Sequence, residues 1–327
     1  MHRFRSGCLA FVACLLSSTG GWGQSSNAAA FPERTVRIVV PFGPGGLADV
    51  TFRLVAEKLT ERLGTQVIVE NQPGAGGIAA AQAVLRAKPD GHTLLVITNG
   101  TAISRSLFKR LPFDPVKDFE PIALVAYFDL LILAKGDSRY NALGDLLAAA
   151  RAAPGRLNFA TINPGSTQNL SAELFRSSAG IDVAIVPFRT SPAAATAVMA
   201  GDLDVVFESY TAMKALVDSG RLKALASTGP KRSAYLPSIP TVKEAGVPQY
   251  EVTGWNALAA PAGTPHDIVT LLNRHINAIL AMPDVKARLI QLGAEAYAGA
   301  PEELRSRLVK DIEKWESVIK KAGIPQQ

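Results

Sequence analysis

Cysteine is nearly absent. The 327-residue chain has two, Cys8 and Cys14, and both lie in an N-terminal stretch with the marks of an export leader. That stretch runs from a basic "MHRFR" through an apolar "LAFVACLL" to the small residues of "GWG". The apolar run falls short of the roughly 20 residues a bilayer span needs. It reads as a Sec-type signal peptide over residues 1–23, with an alternative cut after residue 30. A lipoprotein box at Cys14 fits poorly, because too few apolar residues precede it. Removal of the leader leaves no cysteine. This excludes disulfides, thiolate catalysis and cysteine metal sites from the mature chain, and the expected location is the periplasm.

Histidine is scarce as well. His2 is in the leader, His92 opens a strand, His266 begins a helix and His275 lies within one. No "HExxH" or "GxSxG" accompanies them, and no "GK[ST]" follows a glycine turn, so metalloprotease, hydrolase and Walker-type sites are not formed. Clustered charge is also missing: the formal net charge of +6 falls to +4 without Arg3 and Arg5, and the longest basic runs are "KR" and "KK". A nucleic-acid surface would need clustering. The expectation is a chain with no catalytic residue, no metal and no cofactor.

What is present is a globular composition, 48% hydrophobic and 19% charged, arranged as an α/β alternation. "TVRIVV" (35–40) precedes a helix over 49–63 and a strand "QVIVE" (66–70). A second helix, "GIAAAQAVLRA", leads to the strand "HTLLVIT" (92–98). This succession predicts a parallel, doubly wound sheet. "PIALVAYFDLLILAKG" (121–136) is too long for one sheet and reads as a crossover. A second unit follows, with strands at 157–161, 183–188, 203–209 and 222–228. Another long β-rich stretch (250–263) precedes three helical segments. The reading is two doubly wound lobes joined by crossovers near 125–132 and 250–257. Lobe one comprises 31–128 plus 253–327, and lobe two 129–252. Ligands are expected in the crevice between them.

Three glycine turns open helices: "GPGGLAD" (43–49), "PGAGGIAA" (73–80) and "NPGSTQ" (163–168). A helix start has unpaired N–H groups and the positive end of the helix dipole, which together suit an anion. Gly43, Gly45 and Ala48 also match the dinucleotide fingerprint, with Glu70 at the ribose position. Pro44 stiffens that turn, the neighbouring "GAGGIA" matches equally well, and an exported chain meets no nicotinamide cofactor. Ser166 lacks the nucleophile-elbow context and reads as a hydrogen-bond donor. Two helix starts facing across a cleft would hold a small carboxylate.

The ordered set "RIVVPFGPGGLAD", "VIVENQPGAGG", "KPDGHTLLV", "LPFDPVKDFEPIALVA", "NFAT…PGST", "LSAELF", "GRLKALAST", "KRSAYLPSIPTVKEAGVP" and "APAGTP" resembles the Bug-type periplasmic receptors of tripartite tricarboxylate transporters. The resemblance implies a type II periplasmic-binding-protein fold that closes on a carboxylated solute. Carried over by position, it puts ligand contacts at Phe42, Gly45, Gly46 and Asp49 in lobe one and at Gly165, Ser166 and Thr167 in lobe two. Thr98 and Thr101 are expected as cleft neighbours. The chain departs from the family pattern at Ala48, at Arg189-Thr190-Ser191, at Glu208 and at Asn256 after Trp255. These changes are expected to line the far end of the pocket, with Arg189, Glu208 and Trp255 counted among the candidate ligand contacts. The implied partners are a small carboxylated solute and the membrane subunits of such a transporter, with a monomeric receptor and no nucleic acid. A periplasmic ligand sensor is the alternative, and an NAD-binding dehydrogenase a remote one.

Overall fold

The structure, a computed structural model, describes His2, residues 31–233, 235–321 and 323–327. The rest of the leader, with both cysteines and both expected cleavage points, lies outside the described residues.

Val36, Ile38, Val39 and Val40 are all fully buried, so β1 (Val36–Val40) is covered on both faces, as a central parallel strand must be. It pairs in parallel with β2 (Val67–Asn71) on one side and β3 (Thr93–Thr98) on the other. The crossover α1 (Leu47–Leu63) buries Phe52, Val55 and Leu59 at helical spacing. It stops at Gly64, whose φ of 68° is left-handed and lets its N–H reach Thr60 O at 3.0 Å. A 3-10 turn (Ala75–Gly77) precedes α2 (Ile78–Leu85), and α3 (Asn99–Leu107) follows β3 directly.

Strand β4 (Phe119–Lys135) is 17 residues long and serves two sheets. From Phe119 to Asp129 it pairs antiparallel with β9 (Thr253–Pro261). From Leu130 onward it pairs with β7 (Val205–Ser209) and β8 (Leu222–Ser227). The second sheet is completed by β5 (Asn158–Ile162) between β6 (Ala184–Phe188) and β7, both parallel to it. Its helices are α4 (Leu143–Ala152), α5 (Thr167–Ala179), α6 (Ser191–Ala200) and α7 (Tyr210–Asp218). After β9 come α8 (His266–Ala281), α9 (Pro283–Gln291), a short β10 (Ala294–Ala296) against β4, and α10 (Pro301–Lys321). α8 packs on α1 and β4, and α10 on α3. The strand orders are therefore β2-β1-β3-β9-β4-β10 and β6-β5-β7-β4-β8, the same 2-1-3 arrangement twice, each closed by antiparallel neighbours.

Two differences from the sequence reading have physical causes. Helices α3 and α7 were not expected, since "NGTAISRSL" is rich in poor helix formers. α3 is held instead by burial and by a reciprocal cap: Thr98 Oγ1 accepts from Gly100 N–H at 3.0 Å while Thr101 Oγ1 accepts from Thr98 N–H at 3.1 Å. The return crossing is not made by a long strand either. β9 stays within the first sheet, and the crossing occurs ahead of it at Val252.

The two passages between sheets are tied together by one residue. Thr228 is fully buried. Its N–H donates to Leu130 O, its carbonyl accepts from Val252 N–H, and its hydroxyl accepts from Leu130 N–H and donates to Val252 O, all at 2.8–2.9 Å. Beside this knot lies Asp129, whose carboxyl is pushed up to about 6 by burial first and then by Glu295, with Glu251 adding to it. A side chain on Gly229 would collide with it.

Thr228→Val removes a hydroxyl that serves two buried backbone groups, Leu130 N–H and Val252 O. It is expected to cost about 1–3 kcal/mol in urea unfolding. Asp129 titrates higher in the folded chain than in the unfolded one. It therefore costs nothing below about pH 4, and its cost grows between pH 4 and 6 and is complete above pH 6. Asp129→Asn is expected to stabilise the chain by roughly 2 kcal/mol at pH 8, allowing for partial exposure, and to be neutral at about pH 3.5. Urea midpoints at the two pH values check both the sign and the window.

Candidate functional site

Four helix starts converge on the crevice between the sheets, because the loops after β1, β3, β5 and β6 all end there. α1 begins at Gly46 with no side chain capping it, so its first-turn N–H groups are left for another acceptor. The other three carry side-chain caps: Thr98 on α3, Ser166 on α5 and Thr190 on α6. Ser166 Oγ accepts from Asn169 N–H at 3.1 Å and donates to Ile162 O at 2.8 Å.

Two cavities lie along this crevice. The larger contains about 460 Å³ free of protein atoms, part of it open to solvent. Lobe one contributes Phe42, Gly43, Gly46, Leu47, Ala48, Thr98, Phe128 and Asn256 to its wall. From lobe two come Ile162, Thr167, Gln168, Arg189, Thr190 and Ser191. The smaller, of about 250 Å³, sits between the 3-10 turn and the β5–α5 loop, with Thr98, Thr101, Gly165 and Ser166 on its wall. The lobes touch there: Gly76 N–H donates to Pro164 O at 3.2 Å across the crevice. A Cβ on Gly43 would lie 2.7 Å from Thr190 Cγ2, so a side chain at 43 would hold the lobes apart.

Of the expected site residues, Phe42, Gly46, Thr98, Thr167 and Arg189 border the larger cavity, and Thr101, Gly165 and Ser166 the smaller one. The other four are elsewhere, each for a physical reason. Asp49 is buried in the first turn of α1. Its Oδ1 accepts from Arg53 Nε at 3.0 Å and Asn71 Nδ2 at 2.9 Å, and its Oδ2 from Gly45 N–H at 3.1 Å. Burial alone would raise its carboxyl, but the bonds from Arg53, Gly45 and Asn71 outweigh this and hold it below the usual carboxylate range. Asp49 therefore fixes the first glycine loop, and Gly45 spends its N–H on Asp49 instead of a ligand. Asn71 Nδ2 also binds Phe42 O at 3.0 Å, which anchors the loop at its other end.

Glu208 is fully buried behind the cavity wall. Its carboxylate accepts from Gln168 Nε2 at 2.9 Å, Ser191 Oγ at 2.6 Å and Ser209 N–H at 2.6 Å. It fixes the first turns of α5 and α6, so an ammonium-selecting role is not supported. Trp255 points to the opposite face of β9. Its indole is fully buried and donates to Asp311 Oδ2 at 2.5 Å, and Asn99 Oδ1 accepts from its backbone N–H at 2.7 Å. The pleat of a strand reverses at each residue, so Trp255 in the core places Asn256 in the crevice. Arg189 is exposed at the cavity mouth and forms no ion pair among the described residues.

Sequence reasoning missed Gln168 and Phe128. Gln168 immediately follows "PGST" in the first turn of α5, and extending the loop by one helical turn would have found it. Phe128 lies in the crossover strand, where apolarity does not distinguish a core residue from a cavity wall.

The arrangement offers neutral N–H and hydroxyl donors, one peripheral guanidinium and apolar walls, with its two nearest carboxylates already satisfied. It suits a small anion with an apolar body.

The sequence matches the Tripartite tricarboxylate transporter family receptor over residues 51–324. It is 36% identical to a UPF0065 protein of the tcbD-tcbE intergenic region of Pseudomonas sp. strain P51, across 95% of this chain and 92% of that one. It is 32% identical to protein BugT of Bordetella pertussis, across 95% and 96%. Among solved structures, R. palustris Rpa4515 with adipate superposes with a TM-score of 0.87 at 34% identity, covering 90% of this chain and 99% of that one. MatC (Rpa3494) of Rhodopseudomonas palustris with bound malate gives 0.84 at 35%, covering 88% and 100%. The periplasmic binding protein BugD gives 0.87 at 33%, covering 91% and 100%. The chain belongs to the tripartite tricarboxylate transporter receptor family, a family of solute-binding receptors and not of enzymes.

Proposed function

We propose that the chain captures a small carboxylated organic acid between its lobes in the periplasm, as a monomer, and delivers it to the membrane subunits of a tripartite transporter. The lobes divide at 128/129, one residue before β4 changes sheets, and at 252/253, where the chain returns ahead of β9. The observation that carries the reading is the uncapped start of α1 on the wall of a crevice shared with three other helix starts. The acids bound to Rpa4515 and MatC, adipate and malate, are of the same class.

Each helix start contributes on the order of 0.3–2 kcal/mol toward an anion. Micromolar affinity needs about 8 kcal/mol. Contact with Phe42, Leu47, Phe128 and Ile162 and the closing of the lobes therefore supply the larger share. Glu208 and Asp49 contribute indirectly, by fixing donors before the ligand arrives.

Protein stripped of ligand by unfolding and refolding, then heated with mono-, di- and tricarboxylates, is the test. An acid at 100 times its dissociation constant adds about 2.7 kcal/mol, a rise of roughly 5–10 °C. The neutral amide of that acid is expected to give none, and equal shifts from acid and amide would refute the anion site. Gly43→Ala is expected to weaken binding about tenfold in calorimetry by obstructing closure. Loss of uptake of the labelled acid by cells lacking the receptor checks delivery.

A further inference from the structure

Among the described residues, Asn256 is the buried polar side chain on the wall of the larger cavity that the fold leaves with an unpartnered donor. Only 2% of the residue is exposed, its Nδ2 has no hydrogen-bond partner, and it borders the cavity. Its position on β9 explains why no protein group satisfies it. The strand neighbours opposite are Thr98 on β3 and Ala126 on β4. Thr98 Oγ1 accepts from Gly100 N–H in its capping role, and the methyl group of Ala126 offers no acceptor. Two residues back on the same face, Gly254 leaves room for the Phe128 ring, which lies where a Cβ would be. The ring is apolar too. The amide thus has no hydrogen-bonded partner among its strand neighbours and stands on the wall of the crevice.

A buried N–H donor without an acceptor is costly, and fixed, unsatisfied donors in a cavity are satisfied by what the cavity binds. We propose that Asn256 is a specificity-determining residue whose Nδ2 donates to an oxygen of the bound solute other than the carboxylate oxygens held at the helix starts. The inference rests on the carboxylate reading above and narrows it to acids with a second oxygen function, a second carboxylate first among them. A monocarboxylate of the same length presents methyl hydrogens to the amide and leaves it unpaired. Polar recognition of this kind discriminates more strongly than apolar fit, because the wrong solute forfeits a buried bond.

The test uses the full mature chain, stripped of ligand, with α,ω-dicarboxylates of three to eight carbons and the monocarboxylates of matching length. Calorimetry on the wild type is expected to favour one dicarboxylate over its matched monocarboxylate. Asn256→Leu, similar in size and without a donor, is expected to lower affinity for that dicarboxylate about 10- to 100-fold. Its affinity for the monocarboxylate is expected to change less than about threefold. The unliganded variant is expected to melt no lower than the wild type, since an unpaired donor has been removed; a lower melting temperature would mean that Asn256 serves the fold and would overturn the assignment. Asn256→Gln retains a donor and is expected to recover part of the dicarboxylate preference. A wild type that binds dicarboxylates with an Asn256→Leu variant of equal preference overturns the assignment while the carboxylate reading stands. A wild type that binds none of these acids overturns both.

Discussion

Backbone amides at a helix start must find an acceptor, and the crevice depends on where this fold leaves that demand unmet. Three of the four helices opening onto it are capped by their own side chains, Thr98, Ser166 and Thr190. α1 is not, because its N-cap is Gly46. The loop leading to it is nevertheless rigid. Asp49 and Asn71 hold Gly45 and Phe42 from behind, so the free N–H groups are presented in a fixed direction and little ordering remains for a ligand to impose.

The rest of the architecture serves to bring lobe two onto that loop. β4 runs unbroken through both sheets, and Thr228 joins it to the returning segment. Passages this short confine the junction of the two sheets to a few residues and leave each sheet intact. On the far side, Glu208 sets Gln168 and Ser191 together, so the starts of α5 and α6 are tied into one wall. Buried carboxylates near an anion site would repel its ligand if left free. Here both are consumed by donors and act as scaffolding.

The doubly wound pattern was legible in the sequence because its signals are local. The apolar run at 35–40, the glycine turns and the excessive length of the 121–136 stretch each report a physical property of a short segment. α3 was not legible, since its stability comes from the Thr98–Thr101 cap and from burial beneath α10, neither visible in propensity. The glycine-loop residues Phe42 and Gly46 follow from the family resemblance, which assigns ligand contacts by position, and both border the larger cavity. Side-chain direction was harder. Trp255 and Asn256 are adjacent and both were expected near the pocket, but the pleat sends them to opposite faces, so only Asn256 reaches the crevice. Asp49 enters the expected site by family position and Glu208 as a departure from the family pattern, and neither route reveals their partners Arg53, Asn71, Gln168 and Ser191, which come from other turns or strands.

The most direct measurement is a crystal structure of the stripped protein loaded with its tightest-binding acid. The account requires one carboxylate group within hydrogen-bond distance of the first-turn N–H groups at Gly46–Ala48, with lobe two closed over it. A carboxylate held at Arg189 alone, with the start of α1 facing solvent, would contradict it.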